Sequence, residues 1–476
     1  MGATNSLGTL KQSVVKVMTV SDSPDYEQPW QTLGAAPSTG SGAIVETPQG
    51  LRILTNAHVV EDATFIEVRR EGHERNVVAE VVGYGEACDL ALLSVEDSDF
   101  FEGAKPIPIG ELPSLGDPVT VLGFPIGGEQ LSITEGVVSR IELTVYVQNE
   151  RNLLSLQIDA AINAGNSGGP VVADGRLVGV AFQALEEAEN IGYVICAPVV
   201  EHFLRDVESP PYDGFPDLGL TVQDLESSAH RKFIGLPRTR RGVLVSQVHH
   251  GGSCAGVLEP GDVLLKVDGK PIATDGSVQL EGGARIGFQY AASMRYVGEE
   301  IPLEIHRGEQ RSTQRVTLQR YRPLVPTRPN SGRPAWLVYA GLLFVPLTRS
   351  WLETWGETWR SRAPASLVSV YDHGIRTSQT QEVVILQKVL ADKVNRGYHD
   401  LESLQIAKVQ GRRLRRLSDI VRILDAIEDE LVVIETSNAL RIVLDRQLAI
   451  DRAEPILRRY GVPADRSADL KPPRRR

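Results

Sequence analysis

DAAINAGNSGGPVV, residues 159–172, sets a serine among glycines between two apolar flanks. Its centre is Gly165-Asn166-Ser167-Gly168-Gly169-Pro170. Leu156 and Ile158 precede the turn and Val171 and Val172 follow it, so a tight loop joining two strands is predicted. Glycine accepts the backbone angles of a sharp turn and keeps Cβ atoms out of the way. A serine held there can present its oxygen to a bound carbonyl, with the N–H groups of Gly165 and Ser167 as an oxyanion hole. Taken alone, the same run also reads as an ordinary glycine turn.

Two stretches nearer the amino terminus change the balance. Residues 54–60 read LTNAHVV, a strand-like run that ends at His58. Residues 88–93 read CDLALL, with Asp89 entering an apolar strand. Singly, a histidine beside valines reads as a core residue and an aspartate at a strand start as a turn residue. Together they give the order His58, Asp89, Ser167, with gaps of 89 − 58 = 31 and 167 − 89 = 78 residues. That is the order of chymotrypsin-type enzymes, not of subtilisins or α/β-hydrolases. The gaps let one β-barrel supply the histidine and aspartate and a second supply the serine.

With TNAHVV, DLALL and GNSGGP in place, the chain resembles the HtrA/Deg (Do-like) serine proteases over most of its length. The segments Gly179-Val180-Ala181-Phe182-Gln183 and 190–195 resemble most closely the plant-type Deg proteases of the Deg9 group, with one protease and two PDZ domains. The resemblance implies a mainly β fold: a chymotrypsin-like double β-barrel followed by two PDZ-like α+β domains. It implies an ATP-independent serine endopeptidase acting on unfolded or damaged proteins. A catalytically idle PDZ scaffold or chaperone that kept the triad is the alternative.

Composition agrees with a soluble globular chain of about three domains. A formal net charge of −11 gives no electrostatic support to nucleic-acid binding. Cys88, Cys196 and Cys254 lie far apart in apolar or glycine-rich contexts, so neither a disulfide framework nor a metal site is predicted. No cofactor is expected. Residues 1–12 lack the apolar core of a signal peptide, which points to a cytoplasmic location, or a nuclear or organellar one in a eukaryote. Residues 1–6 match the myristoylation pattern only loosely. The apolar run 336–347 contains Pro346 and is too short to span a bilayer.

Along the chain, strands are predicted over 13–20, from 40, and over 66–68, 77–82, 90–95, 119–122, 137–141, 153–158, 171–172, 177–182 and 191–194, and 24–38 reads as a loop. A helix should start at Pro198 with Val200, Phe203, Leu204 and Val207 on one face. Ser209-Pro210-Pro211 ends it, so residues 1–208 form the protease domain. Residues 212–322 read as a first PDZ domain. Asp217-Leu218-Gly219-Leu220 is its carboxylate-binding loop, and an open strand edge there would accept a peptide as an added strand. Four prolines make 323–334 a stiff linker. Residues 335–462 read as a second PDZ-like domain, with strands over 383–386, 406–409 and 431–434, a helix over 417–427, and Gly341-Leu342-Leu343-Phe344 in the loop's place. Trp351, Trp355 and Trp359 would form one stripe if their segment is helical. Residues 463–476 are expected to be a disordered tail.

The resemblance assigns Ser167 the attack, His58 the proton transfer, Asp89 the orientation of His58, and Gly165 and Ser167 the oxyanion hole. Trypsin-like enzymes carry an aspartate six residues before the nucleophile, and here that residue is Ala161. The S1 pocket is expected from Ala161, Ile162, Asn163, Ala181 and Phe182, with small to medium aliphatic residues preferred. Asn166 stands where zymogens keep an aspartate, so activation by a cut amino terminus is not expected. His249-His250 lacks a third metal ligand. Unfolded proteins and peptide C-termini are the partners implied, with assembly as trimers or multiples of trimers.

Overall fold

Valines and isoleucines at short intervals, separated by Gly, Pro and Asp, fold into strands too short to stand alone, and closure into barrels removes their edges. The computed structural model describes residues 8, 10–146, 152–163, 165–184, 191–209, 212–237, 239–280, 283–320, 322–328 and 332–471. The chain divides into two compact units, Met1–Asp22 with Ala35–Tyr321, and Ser23–Gly34 with Arg322–Arg476.

In the first unit, β1 (Val14–Ser21), β2 (Ala36–Thr47), β3 (Gly50–Thr55), β4 (Ala63–Arg70), β5 (Val77–Gly85) and β6 (Leu90–Val95) close a barrel in the order β1-β2-β3-β6-β5-β4. Val15, Val17, Ile44, Ile53, Val68 and Leu93 fill it. A second barrel, in the order β10-β11-β12-β9-β8-β7, is built from β7 (Pro118–Gly123), β8 (Ser132–Val145), β9 (Asn152–Ile158), β10 (Pro170–Ala173), β11 (Arg176–Ala184) and β12 (Gly192–Cys196). Both barrels are those expected from the motif order.

The helix Ala197–Val207 follows, with Pro198 in its first turn, where a missing N–H costs nothing. It buries Val200, Phe203 and Leu204, as its spacing predicts. Its far side carries His202, whose ring stacks between Phe215 (centroids 4.1 Å apart) and Tyr296 (4.3 Å). His202 Nε2 donates to the Arg295 carbonyl at 2.8 Å, and Asp206 accepts the Gly214 N–H at 2.7 Å. These contacts join the barrels to an α+β sheet domain in the same unit. That domain comprises β13 (Pro216–Asp217), β14 (Leu220–Asp224), β15 (Val243–Val248), β16 (Val263–Val267), β17 (Lys270–Pro271), β18 (Ser277–Gln279), β19 (Arg285–Gly287), β20 (Glu300–Arg307), β21 (Gln310–Thr317) and β22 (Gln319–Arg320). Its main sheet runs β14-β15-β16-β20-β21.

The second unit repeats the theme with β23 (Leu337–Tyr339), β24 (Leu342–Pro346), β25 (Val384–Val389), β26 (Leu404–Val409), β27 (Arg412–Arg413), β28 (Leu431–Thr436) and β29 (Arg441–Asp445). The predicted strands and the helix Leu417–Asp425 are all present. Part of the segment that reads as a loop over 24–38 belongs here. The Gln387 amide donates to the carbonyls of Tyr26 (3.1 Å) and Glu27 (2.9 Å), and Trp30 meets Trp336 edge-on at 5.5 Å.

Three expectations need correction. The tryptophan stripe is not one helix: Arg349–Leu352, Glu353–Trp355 and Trp359–Arg362 are separate short turns, broken at Gly356 with φ 85°. The proline-rich stretch is not a free spacer, because Leu324 and Val325 are buried in the second unit's core. The tail is ordered through residue 471: the Val338 N–H donates to Asp465 (2.7 Å) and the Ser467 N–H to Trp336 (2.9 Å). Residues 472–476 lie outside the described residues. Among the described residues, no helix is long and apolar enough to cross a membrane.

Candidate active site

His58 sits in the turn after β3, and Asp89 just before β6, so the β3–β6 pairing brings the two together. Asp89 closes the 3-10 turn Glu86–Cys88 with φ 52°, a left-handed conformation that aspartate tolerates better than most residues. Its carboxylate, 1% exposed, makes two bonds to the same residue. Oδ1 accepts the His58 N–H at 2.9 Å, and Oδ2 accepts Nδ1–H at 2.7 Å. A carboxylate can only accept, so Nδ1 carries the hydrogen and Nε2 is left with its lone pair. Burial works against protonation of His58, but the charge and hydrogen bond of Asp89, with Glu61 adding, outweigh it and raise its pKa above 6.5.

Ser167 lies on the loop between β9 and β10, partly exposed. Two of its neighbours must be glycine. A Cβ on Gly168 (φ 85°) would lie 2.1 Å from the Ser41 carbonyl oxygen, and one on Gly165 (φ 95°) 2.5 Å from the Phe124 carbonyl oxygen. The Gly168 N–H donates to Ala181 and that of Asn166 to Asn163, both at 2.9 Å. The N–H groups of Gly165 and Ser167 make no hydrogen bond among the described residues, which suits an oxyanion hole. Among the same residues, no hydrogen bond joins the Ser167 hydroxyl to His58.

Sequence reasoning missed Ser41. This residue of β2, 0% exposed, holds the serine loop from the other barrel. Its N–H donates to the Ser167 carbonyl (2.8 Å) and its hydroxyl to the Gly165 carbonyl (2.7 Å). The same hydroxyl accepts the Phe124 N–H (2.8 Å), while the Thr55 hydroxyl donates to the Ser41 carbonyl (2.7 Å). Asn56 was missed too: its amide donates to the Asp89 carbonyl at 2.9 Å. The available signal was a hydroxyl residue set between Gly40 and the apolar run Gly42–Val45.

Of the expected S1 residues, Ile162, Ala181 and Phe182 are buried, Phe182 against Tyr146 with centroids 4.6 Å apart. Ala161 and Asn163 keep exposed surface. Cys88, Cys196 and Cys254 are buried free thiols pushed to about 12 by burial, unsuited to attack near neutral pH. His249 Nε2 lies 2.8 Å from the Thr221 hydroxyl, and among the described residues no His, Cys, Asp and Glu group could hold a metal.

The two peptide-loop regions share a register. Leu220, Thr221 and Val222 pair with Val248, Gln247 and Val245, and Leu342, Leu343 and Phe344 pair with Val389, Lys388 and Leu386. Each ladder slips after its second pair, and Gly219 and Gly341 both have positive φ. The outer edges differ. β14 has no strand on its far side among the described residues, whereas β24 is covered by β23. The first loop also differs from expectation, because the Gly219 N–H already donates to the Asp217 carboxylate at 2.7 Å.

A trypsin-like peptidase domain family matches residues 40–180, and a PDZ domain family matches 325–469. Protease Do-like 2, chloroplastic, of Arabidopsis thaliana is 40% identical over 465 residues, covering 97% of this chain and 76% of that protein. Putative protease Do-like 3, mitochondrial, of the same plant is 35% identical over 471 residues, covering 98% and 82%. The solved structure of the HtrA-type protease AlgW with a decapeptide aligns with a TM-score of 0.52 at 22% identity, over 68% of this chain and 100% of that one, a likeness of fold. With double barrel, PDZ match and relatives aligned over nearly the whole of this chain in agreement, the chain belongs to the Do-like (HtrA/Deg) family of serine proteases and is a serine-type endopeptidase.

Proposed function

We propose that Ser167 is the nucleophile of an ATP-independent endopeptidase that cleaves unfolded or damaged proteins. The observation that carries this is the double grip of Asp89 on His58, which leaves the Nε2 lone pair free to take a proton. Ser167 Oγ attacks the scissile carbonyl as its proton passes to Nε2. The free N–H groups of Gly165 and Ser167 receive the oxyanion. His58 then returns the proton to the leaving amine, and water repeats the cycle to release the acyl group. With Ala161 in place of an aspartate, a buried basic side chain would lack a counter-ion, so aliphatic residues are favoured at the cut.

Substrate segments are captured, in this proposal, at the open edge of β14, and the decapeptide held by AlgW supports a peptide ligand. β23 already occupies the matching edge of β24, which leaves that domain for assembly. Pairing there is the obstacle to strand addition. Homotrimers or multiples of them follow from the family resemblance. The relatives' names give chloroplast and mitochondrion, and an organelle is the compartment carried forward here.

A fluorophosphonate probe and a casein assay test the chemistry. Wild type should label at Ser167 and cleave casein, and Ser167→Ala should do neither while keeping its circular dichroism. Casein cleavage by Ser167→Ala at the wild-type rate would place the nucleophile elsewhere.

A further inference from the structure

A cleft of about 590 Å³ opens in the sheet domain of the first unit, and none of its lining residues lies on β14. Arg240, Arg241, Lys266, Lys270, Arg285 and Arg311 line it, in a chain whose net charge is −11. Among the described residues, Glu304 is the one carboxylate of the lining. It takes Arg311 at 2.5 Å and Lys266 at 3.4 Å. Arg285 reaches both oxygens of Asp275 at 3.0 Å. Among the described residues, six positive side chains thus face two carboxylates.

The remaining three have no carboxylate partner among the described residues. Arg240 donates to His306 Nδ1 at 2.8 Å, and a ring that accepts there carries its hydrogen on Nε2, so no negative charge offsets the guanidinium. Arg241 and Lys270 make no ion pair among the described residues. Like charges drawn together without counter-ions raise the local potential and attract anions.

The size is that of small-ligand sites, roughly 300–1,000 Å³. Arg240 and Arg241 precede β15 and Lys270 belongs to β17, so three cations from two stretches of the chain share the cleft and match a ligand with more than one negative group. Guanidinium forks match phosphate oxygens in geometry. Ser277 and Gln279 add neutral hydrogen-bonding groups, over a floor of Leu265, Ile272 and Val278. We propose that this cleft binds a small ligand carrying two or more linked phosphate groups.

The test is isothermal titration of the full chain with inorganic triphosphate at constant ionic strength, with orthophosphate and hexaglutamate as comparisons. The test variant is Arg241→Glu combined with Lys270→Glu, and the control is Arg412→Glu on β27. Saturable triphosphate binding is expected, weaker for orthophosphate, about tenfold or more weaker in the double variant, and unchanged in the control. A rise in melting temperature of the unmodified chain with triphosphate gives a second readout, should the double variant fold poorly. Absence of both heat and melting shift at millimolar triphosphate overturns the proposal. So does equal binding of hexaglutamate, or an equal loss in Arg412→Glu.

Discussion

Replacing Ser41 by alanine removes one oxygen from a site 0% exposed to solvent, and two backbone groups lose their partner. The Gly165 carbonyl loses a 2.7 Å bond and the Phe124 N–H a 2.8 Å bond. Each buried group left unpaired costs about 1–3 kcal/mol, about 2–6 kcal/mol for the two. The backbone bond from Ser41 N–H to Ser167 remains, so the loop should loosen at Gly165, not detach. If about 2 kcal/mol of that cost falls on the oxyanion geometry, kcat drops about thirtyfold. KM should stay close to wild type, because the Ser41 hydroxyl is too deep to touch substrate. The assay is cleavage of a quenched fluorescent peptide, with the rate of fluorophosphonate labelling at Ser167 and the melting temperature measured in parallel. Labelling and kcat at wild-type values would refute the assignment of Ser41 as a clamp on the loop. A lower melting temperature with unchanged kcat would show the cost falling on the fold alone.

The raised pKa of His58 means that cleavage should fade as pH falls through a value above 6.5, because only the neutral ring accepts a proton. Asp89→Asn removes the raising influence, so the acid limb of the rate profile should move to lower pH while the plateau falls by about 10⁴; an unmoved limb would contradict this. His202 is shifted the other way: burial outweighs its bond to Arg295 and the charges of Asp206 and Glu299, and lowers its pKa below 6.5. Its stabilising contribution is therefore present above pH 6.5 and lost as pH falls through the lower folded value. The gap in melting temperature between pH 7.5 and about 5.5 should shrink in His202→Phe, and an equal gap would exclude His202 as the source. Because Asp217 already holds the Gly219 N–H, a peptide amidated at its C-terminus should bind the first PDZ-like domain within about threefold of its free acid. A free acid binding more than about tenfold tighter would show that it displaces Asp217.

The barrels were legible because β-strand periodicity and the proposed catalytic residues are local in sequence. LTNAHVV, CDLALL and GNSGGP each carry their own strand and turn signals. Ser41 was not legible, because its partners Gly165 and Phe124 are 124 and 83 residues away and meet it only once both barrels have closed. The strand of Phe182 suggests the S1 pocket, while its packing on Tyr146 depends on a residue just after β8, across the barrel from β11. The cover over the second loop region was not legible, because the pairing of Leu337 with Phe344 follows from a two-residue hairpin at Ala340-Gly341. The tail reads as polar, and its order comes from backbone pairing with Trp336 and Val338, which composition does not report.

The placement of Ser23–Gly34 in the C-terminal unit has a consequence for how the protein is made. β1 and β2 on either side can pair as soon as they leave the ribosome, with Val14 opposite Ala43. The partners of the intervening residues, Trp336 and Gln387, come some 300 residues later, since 336 − 30 = 306. At about 5–20 residues per second, translation leaves Tyr26 and Trp30 waiting on the order of 15–60 s. During that interval the segment between β1 and β2 stays outside the packing it has in the folded unit. The later-made unit is the one that takes it over.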